Sequence, residues 1–330
     1  MDKRLLVSTT TTLALLVLGL SRVDEGHPST VAIPDQGTVT ASDTTPSLRL
    51  DHLPIAVSDL QAAEHRYRDG LGFSIKPGRL HQNSIDNVHI KFADSTALEL
   101  ITAREPLDDV ATRYLEFLQS GDGGAFVSFD GGAADSIALR LRAGGMKPHV
   151  FEGGYANSVT FDFDDPLSYF FFIEYHRRPR DGPEILNHPN SAIGLYAVWL
   201  MSDDFGQEDA FLSALEVDAD RTKIFNPALD VEGQDVELSH GHLYLLPSNS
   251  RQMTSRKIVG ATIAVGDLRK AQERVEALHG KKVPVYESPA GRSIYVDPEF
   301  AHGIWIEFLD TGETGETGNG RREARGTGVG

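Results

Sequence analysis

Three carboxylates sit where acids are costly. Glu99 lies within Ala97-Leu98-Glu99-Leu100-Ile101, Glu174 within Phe171-Phe172-Ile173-Glu174-Tyr175, and Glu307 within Ile304-Trp305-Ile306-Glu307-Phe308. An acid in such a run needs a metal, a cation or a hydrogen-bond donor if it points inward, and signifies nothing if it points to solvent. His89, beside Ile90 and close to Phe92 on a stretch of alternating character, is placed either to act as a general base or to sit as a hydrogen-bonded core residue. His240-Gly241-His242 puts two more imidazoles close together, although the glycine and the missing acid favour a turn before a strand. The 330-residue chain contains no cysteine, which removes disulfides, thiolate nucleophiles and thiolate-held metals, so any metal must rest on nitrogen and oxygen donors. There is no Gly-x-Ser-x-Gly elbow, and the glycine clusters at 121–124 and 131–132 lack the Lys-Ser/Thr of a phosphate loop.

The elements that must position these groups form a repeat. Ile55-Ala56-Val57-Ser58-Asp59-Leu60 recurs as Ile263-Ala264-Val265-Gly266-Asp267-Leu268. In both copies an apolar run reads as a buried strand, and the Asp stands where it can cap the helix that follows. Leu60, Ala63, Tyr67 and Leu71 fall on one helical face in the first copy, as do Leu268, Ala271, Val275 and Leu278 in the last. Three segments rich in Val, Ile, Phe and Tyr follow each helix, and forty positions separate Asp59 from Glu99 and Asp267 from Glu307 alike. Two less faithful copies fit between. The second runs from Phe126 through a helix at about Ala133 to Arg142 and ends at Tyr175, its helix opening at Gly132 with no Asp. The third runs from Leu195 through a helix opening at Asp203 or Asp204 to Leu246, and is least regular from Val217 to Glu237. One strand-helix-strand-strand-strand unit is too small to bury a core, so units must pair. The expectation is an α+β chain of four βαβββ modules in two domains, 48–178 and 190–310, joined by the Pro- and charge-rich stretch from Arg177 to Asn190, where His188 should meet solvent.

Lys3 and Arg4 precede an apolar run from Leu5 to Leu20, so residues 1–22 read as a signal peptide or N-terminal anchor and the protein as exported, whether secreted, periplasmic or membrane-anchored. Residues 23–47 and 311–330 read as a disordered linker and tail. A net charge of −17 with no long basic run argues against nucleic acid as a partner, and no membrane contact is expected beyond that anchor.

The order of elements, repeated in pairs, resembles the vicinal-oxygen-chelate superfamily of glyoxalases, extradiol dioxygenases and antibiotic-binding proteins. Asp51-His52-Leu53-Pro54-Ile55-Ala56-Val57-Ser58-Asp59-Leu60 with Tyr67 and Leu71-Gly72-Phe73 is similar to the opening of a glyoxalase module, and Phe171 to His176 with His188-Pro189-Asn190 is similar to a glyoxalase-like subgroup. The resemblance implies a cleft in which a first-strand residue and a last-strand Glu bind a divalent ion. Those positions fall on His52 and Glu99 in unit one and on Ala125 and Glu174 in unit two; unit three offers Tyr196 and Tyr244, and unit four Gly260 and Glu307. His52, Glu99 and Glu174 are thus the implied metal ligands, Glu174 and His89 the candidate catalytic groups, and Fe, Mn, Zn, Ni or Mg the suited cations. Glu307 is expected to survive only as a remnant paired with a base. The implied activity is that of a metal-dependent lyase, isomerase or dioxygenase acting on a small oxygenated substrate. The alternative is a metal-free protein that binds or sequesters a small molecule.

Overall fold

The computed structural model describes residues 48–178, 180–217, 221–248 and 256–312. The expected export segment 1–22, the linker 23–47 and nearly all of the tail 311–330 lie outside the described residues. No helix among the described residues is long and apolar enough to cross a membrane.

Four βαβββ units follow one another. Unit one is β1 (Arg49–Ala56), α1 (Leu60–His65), β2 (Lys76–Leu80), β3 (Ile85–Lys91) and β4 (Ala97–Ala103). A helix α2 (Asp109–Leu118) and a short strand β5 (Gly123–Gly124) lead to unit two, which is β6 (Val127–Asp130), α3 (Ala134–Ala143), β7 (His149–Phe151), β8 (Ala156–Thr160) and β9 (Phe170–Tyr175). After a short helix α4 (Pro183–Leu186) comes unit three: β10 (Ala192–Ser202), α5 (Gly206–Ala214), β11 (Thr222–Asn226), β12 (Val231–Glu237) and β13 (His242–Pro247). Unit four is β14 (Ile258–Val265), α6 (Leu268–His279), β15 (Tyr286–Ser288), β16 (Gly291–Val296) and β17 (Trp305–Asp310).

Within every unit the first and last strands pair in parallel, and units join through their first strands, β1 antiparallel to β6 and β10 antiparallel to β14. The first strands are therefore central in each half, which is why β1 is buried along nearly its whole length, Asp51 and His52 included. One apolar core takes side chains from all four units, including Tyr67, Leu141, Phe211 and Val275 from the helical faces. Asp59 and Asp267 cap α1 and α6 through bonds from the Ala62 and Arg269 N–H groups.

Three local expectations change. The segment expected to be irregular in unit three is a paired hairpin of β11 and β12, whose polar, exposed outer residues hide the strand signal. Helix α5 begins at Gly206 rather than at the aspartates, although Asp204 accepts from its N–H. His188 is buried rather than solvated. Its Nδ1 accepts from the Ser74 N–H, which leaves Nε2–H to donate to the Lys91 carbonyl, so the segment after β9 is stitched onto unit one.

Candidate functional site

A cavity of about 1230 Å³ opens in the first half, on the face of the sheet opposite α1 and α3. Alternation along the strands decides what reaches it. On β4, Leu98 and Leu100 pack into the helix-side core, while Glu99 faces the cavity. On β3, His89 lies opposite Glu99 in register and faces the cavity as well. His52 enters from β1, where the pairing register with β6 slips between Leu50 and His52. The slip leaves Asp51 as the extra residue of a bulge, a device that re-aims side chains, and here it brings Asp51 against its neighbour.

The result is a buried chain of paired charged side chains. Asp51 Oδ2 lies 2.6 Å from His52 Nδ1, and His52 Nε2 lies 3.4 Å from Glu99 Oε2. Asp51 also accepts from the Tyr175 hydroxyl at 3.0 Å and from Arg178 at 2.7 Å, and Arg178 lies over the Tyr175 ring while bridging to Asp130. Asn87 Nδ2 donates to Glu99 Oε1 at 2.5 Å. Burial opposes charge on every one of these groups. In His52 the hydrogen bonds to Asp51 and Glu99 outweigh it and raise the imidazole pKa. In Glu99 and Asp51 burial is likewise outweighed, by His52 together with Asn87 or Arg178, and each carboxyl is held down at about 2. His89 goes the other way. Burial, reinforced by Lys91, His52 and Lys76 against the pull of Glu99, lowers it to about 4.

Of the residues expected in the site, His52, Glu99 and His89 are brought together and Glu174 is not. On β9, Phe170 and Phe172 pack into the helix-side core, and Glu174 shares their face. Its Oε2 accepts from the Ala134 N–H at the first turn of α3 and from Asn157 Nδ2, both at 3.0 Å. Glu174 thus supplies, from the far end of the unit, the acceptor that the residue before α3, Ala133, lacks. The partner of His52 in unit two also differs from expectation. His52 stands seven residues before the cap of α1, and seven before Ala133 is Phe126, not Ala125. The face of β9 that does reach the site carries Phe171, whose ring meets His52 edge-on at 5.4 Å and Phe126 at 6.3 Å.

The second half places other groups at the equivalent strands. Glu307 is buried as expected of its strand, but its partners are the Thr262 and Tyr295 hydroxyls at 2.7 and 2.8 Å rather than a base, and burial raises its pKa. Trp199 fills the space above Gly260, where a Cβ would come within 2.3 Å of the indole, and donates to Thr262 at 2.8 Å. His240 and His242 do not form a pair; each binds its own acid, Asp94 and Asp235.

The glyoxalase-like domain family matches residues 50–216, about half of the chain. The chain belongs to this family. Among curated proteins none matches significantly. Solved structures with the glyoxalase-like architecture superpose over most of the chain. Homoprotocatechuate 2,3-dioxygenase from Arthrobacter globiformis does so with a TM-score of 0.53 and 15% identity, covering 82% of this chain and 81% of its own. The 2,3-dioxygenase LapB from Pseudomonas sp. KL28 gives 0.52 and 15%, covering 81% and 93%. A variant of 4-hydroxymandelate synthase from Streptomyces coelicolor gives 0.52 and 13%, covering 80% and 93%. At these identities the shared property is the vicinal-oxygen-chelate fold.

The donor set of this glyoxalase-like protein can be tested against the metal that the fold implies. His52 and Glu99 converge, and Asp51 on the far nitrogen of the imidazole is the type of support metal-binding histidines use. The other half of the set is absent: Phe126 and Phe171 occupy the corresponding places in unit two, and neither ring ligates. Among the described residues no group of three His, Asp or Glu side chains is arranged to hold a cation. Two donors, already bonded to each other, do not fit a resident transition metal, which takes three or four from the protein.

Sequence reasoning missed Asp51, Asn87, Tyr175 and Arg178. The Asp51-His52 dipeptide was visible, but adjacent strand residues ordinarily face opposite sides, and only the bulge overrides that.

Proposed function

We propose that the first half binds a small oxygenated molecule and moves a proton on it without a resident metal, as a lyase or isomerase of the acid–base kind. The observation that carries this reading is the pair of imidazoles in one cavity with pKa values pushed in opposite directions, His52 up and His89 down to about 4. That leaves His89 a neutral acceptor at neutral pH and favours the charged, donating form of His52, and pairs of titratable groups driven apart in this way mark acid and base roles. In this reading His89 takes a proton from the carbon beside a carbonyl, and the Nε2–H of His52, whose 3.4 Å contact with Glu99 is long, turns to donate to the carbonyl oxygen while Asp51 holds Nδ1. The product is the enol; return of both protons to the same atoms gives exchange with solvent, and from an enediol, delivery of the proton to the former carbonyl carbon, with loss of the neighbouring hydroxyl proton, gives the isomer. Asn87 and Arg178 act at one remove by holding Glu99 and Asp51.

Solvent deuterium exchange tests it. Dihydroxyacetone and 2-oxobutyrate are incubated with the protein in D₂O containing EDTA, and loss of the proton beside the carbonyl is followed by NMR. Accelerated exchange that survives EDTA and disappears in both His52→Gln and His89→Gln is expected. Binding of such compounds without exchange supports sequestration, the alternative role for this fold. Exchange that requires added Mn²⁺, Fe²⁺, Zn²⁺ or Ni²⁺ overturns the metal-free mechanism.

A further inference from the structure

The cavity is cationic in an acidic protein. Five Lys and Arg side chains line it against two acids, Glu99 and Asp181, while the whole chain carries −17. Two of the five are answered locally, Lys76 by Asp181 at 2.5 Å and Arg178 by Asp51 and Asp130, and Arg79 and Arg180 are exposed. Lys91 is different. It lies two residues beyond His89 on β3, hence on the same face of the strand, and lines the cavity with no hydrogen-bond or ion-pair partner for its ammonium group among the described residues. A half-buried cation that no carboxylate touches is costly, and burial outweighs the more distant Asp51, Glu99 and Asp181 in lowering the Lys91 amine. Such a group gains most when a ligand brings the missing anion.

We propose that Lys91 anchors the carboxylate of a small organic acid bearing a carbonyl or hydroxyl on the adjacent carbon. The inference rests on the acid–base reading of the same cavity, and it adds the substrate class. Same-face neighbours on a strand stand roughly 7 Å apart, so a carboxylate held by Lys91 leaves its next carbon within reach of the His89 ring. Lys91 is a single point charge set beside His89, which suits a carboxylate; a phosphate dianion would call on the exposed Arg79 and Arg180 as well. Tyr155 and Tyr175 offer wall for the remainder of the molecule.

Calorimetric titration with 3-phenyllactate, its neutral amide and inorganic phosphate, on wild type, Lys91→Met and Lys91→Arg, tests the assignment. The acid should bind wild type at least tenfold more tightly than the amide or phosphate. Lys91→Met should erase the preference for acid over amide while keeping the amide affinity, and Lys91→Arg should restore most of it. Equal affinities for acid and amide in wild type, a preference that persists in Lys91→Met, tighter binding of phosphate, or no binding of the acid each overturn the proposal. Binding is read here without turnover, so loss of the acid–base reading alone leaves the acid preference intact. Loss of the anchor alone leaves EDTA-insensitive exchange of dihydroxyacetone intact.

Discussion

Replacing Glu174 with alanine separates a helix cap from a metal ligand. The carboxylate accepts from the Ala134 N–H and from Asn157, at 3.0 Å each. Losing the acceptor at the first turn of α3 costs about 1 kcal/mol. Removing a negative charge from a helix N-terminus adds about 0.5 kcal/mol. The Asn157 amide, half-buried and left with one partner fewer, adds about 0.5 kcal/mol more. Glu174→Ala should therefore lose about 2 kcal/mol, or roughly 3 °C in Tm for a protein of this size. Glu174→Gln keeps an acceptor oxygen and should lose less than half of that. Urea and thermal unfolding of the three proteins, with ligand titrations on the folded samples, provide the measurement. A variant with wild-type stability and no ligand or metal binding would show that the side chain belongs to the cavity, and the placement of Glu174 on the helix face would be wrong.

Three further outcomes follow from the same geometry. His89 is lowered from 6.5 to about 4, with Glu99, Lys76, Lys91 and His52 around it, so between those values the unfolded chain binds a proton that the native protein refuses. Stability should then fall as pH drops from 6.5 towards 4, by a ceiling of about 3 kcal/mol and by about half of that once cavity solvent is allowed for. His89→Gln should flatten this acid limb in urea titrations at pH 7 and pH 4.5; equal slopes would contradict it. Gly78→Ala places a Cβ within 1.9 Å of the Asn87 carbonyl and 2.3 Å of its side-chain oxygen, so β3 must shift and Asn87 must release Glu99. The expected loss is about 1–3 kcal/mol by urea denaturation, and unchanged stability would argue against the close approach. The double substitution Phe126→His with Phe171→Glu installs the two missing donors. It should create a Zn²⁺ or Mn²⁺ site that wild type lacks, seen as a metal-dependent gain of about 2.7 kcal/mol at a hundredfold excess over Kd. Metal binding of equal strength in wild type would refute the reading of the two rings.

The four-unit fold was legible because two of its copies are punctuated. Asp59 and Asp267 cap their helices, so the count from cap to strand sets His52 on a first strand and Glu99 and Glu307 on last strands. Unit two carries no such mark. Its helix is capped by Glu174 from the end of the unit, and the count begins one residue late, on Ala133 rather than Gly132. That single step exchanges Ala125 for Phe126. Along β9 the error has another cause. Phe170 to Ile173 is apolar on both faces, and a strand without alternation does not reveal which residues point inward. The bulge at Asp51 and the donors on Arg178 and Tyr175 depend on register between distant strands, for which the local sequence has no sign.

The opposite protonation of two imidazoles in one cavity is best met by following the ring Cε1–H signals of His52 and His89 by NMR across pH 3 to 9, each assigned with its Gln variant. The structure predicts that His89 titrates near 4 and His52 above the ordinary histidine value of 6.5. Coincident titrations near 6.5, or a His89 that holds its proton to higher pH than His52, would contradict the account.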